Sequence, residues 1–169
     1  DDCLETEYDL INNLAERNID GLILATMMNR DQYYKNPVIK KIPVMLIDRR
    51  LEGDDIGWVV SDDETGTYDL VSTLCKEGIQ DIHFIGGIQK LSTSIDRLKG
   101  YKKALRDQGI GYDQQKVQQT GYAVKDGYEM TKNIFQKIKQ GPQAIFTSAI
   151  TLLEGLLQYT KEYDSEMLN

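Results

Sequence analysis

Phe84-Ile85-Gly86-Gly87-Ile88-Gln89-Lys90-Leu91-Ser92-Thr93-Ser94-Ile95-Asp96-Arg97-Leu98-Lys99-Gly100-Tyr101 runs from an apolar segment through a diglycine turn and a hydroxyl-rich loop into a helix with an early arginine. An open α/β sheet builds a small-molecule site in this way. Ligands collect beyond the carboxyl ends of strands, where helix N-termini offer unpaired N–H groups. The stretch points to ligand binding rather than to chemistry.

On either side of it, helical and strand periods alternate. Leu4, Tyr8, Ile11, Leu14 and Ala15 recur at helical spacing, and Asp20-Gly21 leads into the buried strand Leu22-Ile23-Leu24-Ala25. Ile42-Pro43-Val44-Met45-Leu46-Ile47 predicts a second strand, followed by the charged cluster Asp48-Arg49-Arg50, and Gly57-Trp58-Val59-Val60 a third, followed by Ser61-Asp62-Asp63. The next helix is expected over residues 64–77, with Tyr68, Val71, Leu74 and Cys75 on its apolar side and Gly78 as its stop. A strand over residues 79–87 precedes a helix that buries Leu98, Tyr101, Ala104 and Leu105 and ends at Gly109. Residues 117–122 read as a strand. Asp126 with Glu129 suggests a capping box for a helix through Ile134, Phe135 and Ile138, which Gly141-Pro142 ends. Ala144-Ile145-Phe146-Thr147 is the last strand, and Leu152, Leu153, Leu156, Leu157 and Tyr159 mark a closing amphipathic helix. Such alternation calls for an α/β fold with parallel sheets and right-handed crossovers. The change of character near Val60-Ser61-Asp62 divides the chain into residues 1–60 and 61–169, although one continuous sheet also fits.

With 169 residues, 40% apolar and 28% charged, the chain can bury the core of one compact domain or two small ones. A net charge of −7 repels a phosphate backbone, so this segment is not expected to grip DNA or an anionic membrane by general electrostatics. Cys3 and Cys75, far apart and without CxxC spacing, fit a reducing cytoplasm better than a disulfide framework or a zinc site. No window approaches the roughly 18 apolar residues of a membrane span, and no signal-peptide pattern opens the chain. It reads as a fragment, which leaves a removed leader open.

Asp48 and Arg49 follow a strand directly, where a carboxylate can accept from sugar hydroxyls and a guanidinium can grip hydroxyls or a phosphate; the plain alternative is a surface ion pair. Arg97 lies in the first turn of a helix beginning beside Ser92-Thr93-Ser94. A cation there is unfavourable against the helix dipole unless an anion or acceptor is near. Asp62-Asp63 read as N-cap and first-turn residues rather than as a chelating pair. His83, the only histidine, reads as a hydrogen-bonded core residue, and Trp58 either stacks on a sugar or packs at a seam. Catalytic signatures are missing: there is no GxSxG elbow, Walker loop or HExxH, and Gly86-Gly87 lacks the third glycine of a dinucleotide fingerprint. Neither a cofactor nor a metal is called for, and a binding module is the expected class.

The blocks Asp20-Gly21-Leu22-Ile23-Leu24, Ile42-Pro43-Val44, Ile47-Asp48-Arg49, Val60-Ser61-Asp62-Asp63, residues 82–87, residues 92–97 with Gly100-Tyr101, and Ala144-Ile145-Phe146-Thr147 occur in a specific order. In that order they resemble the effector-binding core of the lactose-repressor family of transcription regulators, itself similar to periplasmic sugar-binding proteins. The resemblance implies two similar α/β lobes, here incomplete, with a small effector held between them. It further implies a cytoplasmic homodimer that positions DNA-reading heads on an operator, through a helix-turn-helix domain that this chain does not carry. Residues 1–60 then correspond to part of the N-terminal lobe and residues 61–169 to part of the C-terminal lobe. Asp48 and Arg97 match positions that commonly contact the effector, and Arg49, Ser92, Ser94, Thr147 and Ser148 complete the expected set. Ala149-Ile150 stands where many members carry Asn-Asp. Phe146-Thr147-Ser148 with Leu152-Leu153-Glu154-Gly155, Asp48-Arg49-Arg50-Leu51 and Leu91-Ser92-Thr93-Ser94 look like the fructose-responsive branch, which implies a sugar phosphate as effector with Arg49 and Arg97 holding the anion. The runner-up is a sugar-binding receptor of a transport system. An α/β enzyme acting on sugar phosphates rests only on the versatility of such folds.

Overall fold

Helix-period and strand-period apolar residues meet in two separate cores. The computed structural model describes residues 3–53, 55–137 and 141–167. Unit 1 gathers Asp1–Ser61 with Leu91–Thr93, and unit 2 gathers Asp62–Lys90 with Ser94–Asn169.

Unit 1 contains α1 (Leu4–Ala15), β1 (Leu22–Leu24), α2 (Arg30–Lys35), β2 (Val44–Ile47) and β3 (Gly57–Val59). Its strands pair in parallel in the order β1-β2-β3, with Leu22 opposite Val44 and Met45 opposite Gly57. One face carries Leu24 and Leu46 into a core with Ile11, Met28, Tyr33, Ile39 and Ile56. The period of two sends Ile23, Met45, Ile47 and Val59 the other way, and all four are exposed. The second strand starts at Val44 rather than at residue 42: Pro43 has no N–H to give, and only its carbonyl joins the ladder, accepting from the Leu22 amide at 2.9 Å. The sequence reading missed α2. Its signal is a capping box in which Asn29 Oδ1 accepts from the Gln32 amide and Gln32 Oε1 accepts from the Asn29 amide, both at 2.9 Å.

Unit 2 contains α3 (Asp63–Lys76), β4 (Ile82–Gly86), the larger part of α4 (Ser92–Asp107), a 3₁₀ turn (Gln114–Lys116), β5 (Val117–Gln119), α5 (Val124–Lys137), β6 (Ala144–Thr147) and α6 (Ile150–Met167). Its parallel order is β5-β4-β6. The central strand β4 is buried throughout, as a parallel strand covered on both faces must be. Ile82 and Phe84 pack with Val71, Tyr101, Ala104, Leu105 and Val117. Ile85 points oppositely, to Met130, Ile134 and Leu152. The fold is α/β with parallel sheets flanked by helices, in two three-stranded sheets rather than one continuous sheet.

Several expected boundaries shift for local reasons. β4 begins at Ile82, not residue 79, because the Gln80 and Asp81 amides donate to the Gln143 side chain, at 2.8 Å each, instead of to a strand. β5 stops at Gln119, so Tyr122 lies in the loop beyond it. α5 starts at Val124 and places Asp126 at the third helical position, from which its carboxylate reaches back to the Ala123 amide at 2.9 Å. Asp126 is therefore not the cap, and the expected box with Glu129 does not form. Ile138 lies outside the described residues. On α6, Leu152 and Tyr159 are buried, whereas Leu153 and Leu157 are exposed.

Candidate functional site

Unit 2 brings five loops and helix starts together at the carboxyl end of its sheet, where ligands of open α/β sheets bind. Asp62 caps α3, accepting the Thr65 amide at 3.0 Å, and that backbone bond holds its carboxyl below the usual range. Asp63 has a different task. Its Oδ1 accepts from Arg97 Nε at 2.8 Å and lies 2.8 Å from Nη2, while Arg97 Nη1 donates to the Ser148 carbonyl. Because α4 starts at Ser92, Arg97 lies in its second turn rather than in the first as expected, and the carboxylate and the carbonyl supply the negative partners of its cation. Asp62 and Asp63 are the N-cap and a first-turn residue of α3, as their position in the sequence suggested, and Asp63 in addition holds Arg97.

Ser94 is fully buried, and its hydroxyl lies 2.6 Å from that of Tyr122. The Tyr122 ring rests on Gly87 so closely that a Cβ there would collide with ring carbons, and the Tyr122 carbonyl accepts from the Thr151 hydroxyl. The second glycine of the diglycine turn is thus a seat for an aromatic ring. Thr147 ends β6, and the Ser148 amide continues the ladder to the Ile85 carbonyl at 2.9 Å. Ser148 is buried, with a hydroxyl that has no partner among the described residues. A buried hydroxyl left this way beside an arginine invites a polar ligand group.

In unit 1, Asp48 follows β2 with φ of 68°, a left-handed conformation that aspartate tolerates better than most residues. Its amide donates to the Val59 carbonyl at 3.1 Å. Its exposed carboxylate lies 3.4 Å from Arg49 Nε, and Arg49, largely buried, directs Nη1 to the Met27 sulfur. Ser92 accepts the Arg50 amide at 3.0 Å. Trp58, half exposed, has the Arg50 guanidinium 5.9 Å from its ring centroid.

The structure thus places Ser94, Arg97, Thr147 and Ser148 around one sheet end in unit 2, and Asp48, Arg49 and Ser92 within unit 1. Asp63 and Tyr122 were missed as site residues. Asp63 looked like a first-turn residue of a helix by position, and Tyr122 read as the end of a strand. His83 sits at the other end of β4 and is buried, but its Nδ1 lacks the hydrogen bond expected of it. Among the described residues no group of three or more His, Cys, Asp or Glu side chains is placed to hold a metal ion, and no helix is long and apolar enough to cross a membrane. An arginine held by a carboxylate, two paired hydroxyls and a buried unpaired one can bind and orient a polyhydroxylated or anionic molecule.

Residues 1–163 match the family model described as periplasmic binding proteins and the sugar-binding domain of the LacI family. The sucrose operon repressor of Klebsiella pneumoniae is 34% identical over 157 residues, which cover 93% of this chain and 47% of the repressor. The fructose operon regulatory protein of Vibrio cholerae is 26% identical over 166 residues, 96% of this chain and 49% of that protein. The chain spans about half the length of these relatives. Among solved structures, the Cra transcriptional dual regulator of Pseudomonas putida, in complex with fructose 1-phosphate, superposes with a TM-score of 0.83 at 27% identity, covering 96% of this chain and 60% of that one.

Proposed function

The chain belongs to the family of periplasmic binding proteins and LacI-type sugar-binding domains, and from that premise we propose that it is the effector-binding core of a cytoplasmic transcription regulator. It senses a sugar or sugar phosphate and controls operator binding by a head domain outside this sequence, in a homodimer. The observation that supports this best is the Arg97 guanidinium, fixed by Asp63 and the Ser148 carbonyl at the carboxyl end of the unit 2 sheet, with N–H groups still available on Nη1 and Nη2. Those groups suit a phosphate or vicinal hydroxyls in a bidentate fork. Ser94, Thr147 and Ser148 supply hydroxyls, and Tyr122 an aromatic face for a sugar ring. In unit 1, Asp48, Arg49 and Ser92 are proposed as effector-facing residues in their own right. Residues 1–60 and 61–169 are the parts of the two lobes.

Fructose 1-phosphate, present in the Pseudomonas structure, supports a phosphorylated sugar as the class. An effector acts by its difference in affinity between the states of the regulator that do and do not bind DNA. The relatives quoted are named as repressors and regulators, which favours this reading over a transport receptor. Isothermal titration of the full effector core with fructose 1-phosphate, fructose 1,6-bisphosphate, fructose, sucrose and ribose tests it. Selective binding of a phosphorylated sugar, weakened at least about tenfold in Arg97→Ala as expected for a lost charged hydrogen bond, is the expected outcome. Binding of neutral sugars alone retains the family and discards the anion; no binding at all removes the sensor reading.

A further inference from the structure

Helix α4 turns Ser94, Tyr101, Ala104 and Leu105 inward, where they are buried. On its other side Ile95, Leu98, Lys99, Lys102, Lys103 and Arg106, at helical spacings of three and four, line a groove of about 710 Å³ that lies wholly within unit 2. Gln89 and Gln119 add amides, and Glu64 of α3 is the one acid among the described lining residues. Four cations thus face one carboxylate, in a chain whose net charge is −7. Their existing contacts do not cancel that excess. Lys99 Nζ lies 2.5 Å from Glu64 Oε2. Arg106 meets Asp107, its neighbour in sequence, at 3.3 Å with its side chain 74% exposed, a pairing worth little in water. The Lys102 and Lys103 ammoniums instead stand 4.5 Å from the ring centroids of Tyr112 and Tyr68, and neither forms an ion pair among the described residues. A ring face orients an ammonium without neutralising it.

We propose that this groove docks a short acidic segment of a partner protein, one that carries aliphatic side chains among its carboxylates. Complementary charge argues for the acid. Like charges lining a concave surface focus their potential, and at physiological salt a Debye length of about 8 Å screens the chain's more distant carboxylates from them. Ile95 and Leu98 argue for the aliphatic groups. Ile95 is 51% exposed amid the cations, and covering it takes apolar atoms that a phosphate backbone does not present. The chain's overall excess of acids also repels a long phosphate backbone, which tells against nucleic acid as the partner. From Ile95 to Arg106 α4 rises about 16 Å, the length of about three helical turns. A bound helix of that length sets acids and aliphatic groups on one face through its i, i+3, i+4 and i+7 positions. This surface stands apart from the effector reading and does not depend on it.

The probe is a fluorescein-labelled peptide of about three helical turns, built from glutamate and leucine with the leucines on one face. One control carries serine for leucine, and a second is oligothymidylate of equal charge. Fluorescence polarisation is read at low and moderate salt with the parent protein, Lys102→Glu/Lys103→Glu, Ile95→Ser and Arg97→Ala, the fold of each variant checked by circular dichroism. Saturable binding of the leucine peptide is expected, weakened at least about tenfold by the double lysine variant, about threefold by Ile95→Ser and further by salt, and retained in Arg97→Ala. Lys102→Gln/Lys103→Gln, which removes the charges without reversing them, takes the place of the glutamate pair should that fail to fold, and it too must weaken binding. Absence of binding overturns the docking surface. Undiminished binding to the double variant places the peptide elsewhere, and loss in a folded Arg97→Ala places it at the effector site; either result overturns the proposal. A serine peptide bound as tightly as the leucine one reduces the groove to general charge attraction, and tighter binding of oligothymidylate makes it a nucleic-acid face; both overturn the partner class.

Discussion

Arg97 and His83 show how differently one sheet treats a charge at its two ends. The Arg97 cation is met by the Asp63 carboxylate and the Ser148 carbonyl. Removing that partner in Asp63→Ala leaves a partly buried cation unmatched, and we expect a loss of about 2 kcal/mol in urea-unfolding free energy, together with weaker effector binding. His83 instead stays neutral, because burial outweighs the nearby Asp81 carboxylate and lowers its pKa from 6.5. The unfolded chain then takes up the proton first as pH falls. This residue's contribution is complete above about pH 6.5 and is lost as pH drops from there towards its folded pKa. Unfolding of the parent and His83→Gln at pH 7.5 and 5.5 checks the sign: the parent loses more stability on acidification than the variant. Tyr122 makes the third case, since its hydroxyl meets Ser94 and its ring covers Gly87. Tyr122→Phe removes one hydrogen bond and is expected to weaken effector binding roughly fivefold by titration, in line with about 1 kcal/mol.

Helix pairing in unit 2 depends on places where no side chain fits. A Cβ on Gly127 would strike the Leu152 backbone, and one on Gly155 the Val124 carbonyl, so α5 and α6 approach backbone to backbone. Either glycine changed to alanine must spread the helices, with an expected cost of about 2–3 kcal/mol in chemical denaturation; a neutral result in both contradicts the close approach. Neither glycine was recognisable from the sequence as a contact point, because a helical glycine looks the same whether or not another helix presses on it. What was legible had a repeating period or a chemical stop. Leu4 to Ala15, the buried Tyr101, Ala104 and Leu105, and the Ala144-Ile145-Phe146-Thr147 strand fall where their spacing puts them. The misses are short or depend on partners distant in the chain. α2 is six residues long and is announced only by Asn29 and Gln32, and β4 is shortened by a side chain, Gln143, more than sixty positions away. Arg97 was singled out by a first-turn argument, whereas α4 starts at Ser92 and places it in the second turn, and Asp63 as its partner needed the packing of α3 against α4.

At the scale of the whole molecule, the two sheets differ in what covers them. In unit 2 both faces of β4 are packed, whereas in unit 1 Ile23, Met45, Ile47 and Val59 leave one face of the sheet apolar and open. Parallel sheets are ordinarily covered on both sides, and an exposed contiguous apolar face promotes association. Ile23→Lys with Ile47→Lys is therefore expected to reduce binding of an apolar dye and concentration-dependent light scattering without a change in far-ultraviolet circular dichroism. The same asymmetry sets local stability. Three- and four-residue strands with one open face have fewer buried contacts than a fully buried central strand, and amide exchange follows that burial. Amides of β1, β2 and β3 are expected to exchange faster than those of β4. Leu46→Ala removes a fully buried side chain from the first core at a cost of about 3 kcal/mol, and its effect on protection should concentrate in unit 1. Ile134→Ala should act in the same way on unit 2. Because each core is built from its own residues, exchange that rises equally across both units in either variant would mean that the chain opens as one cooperative block.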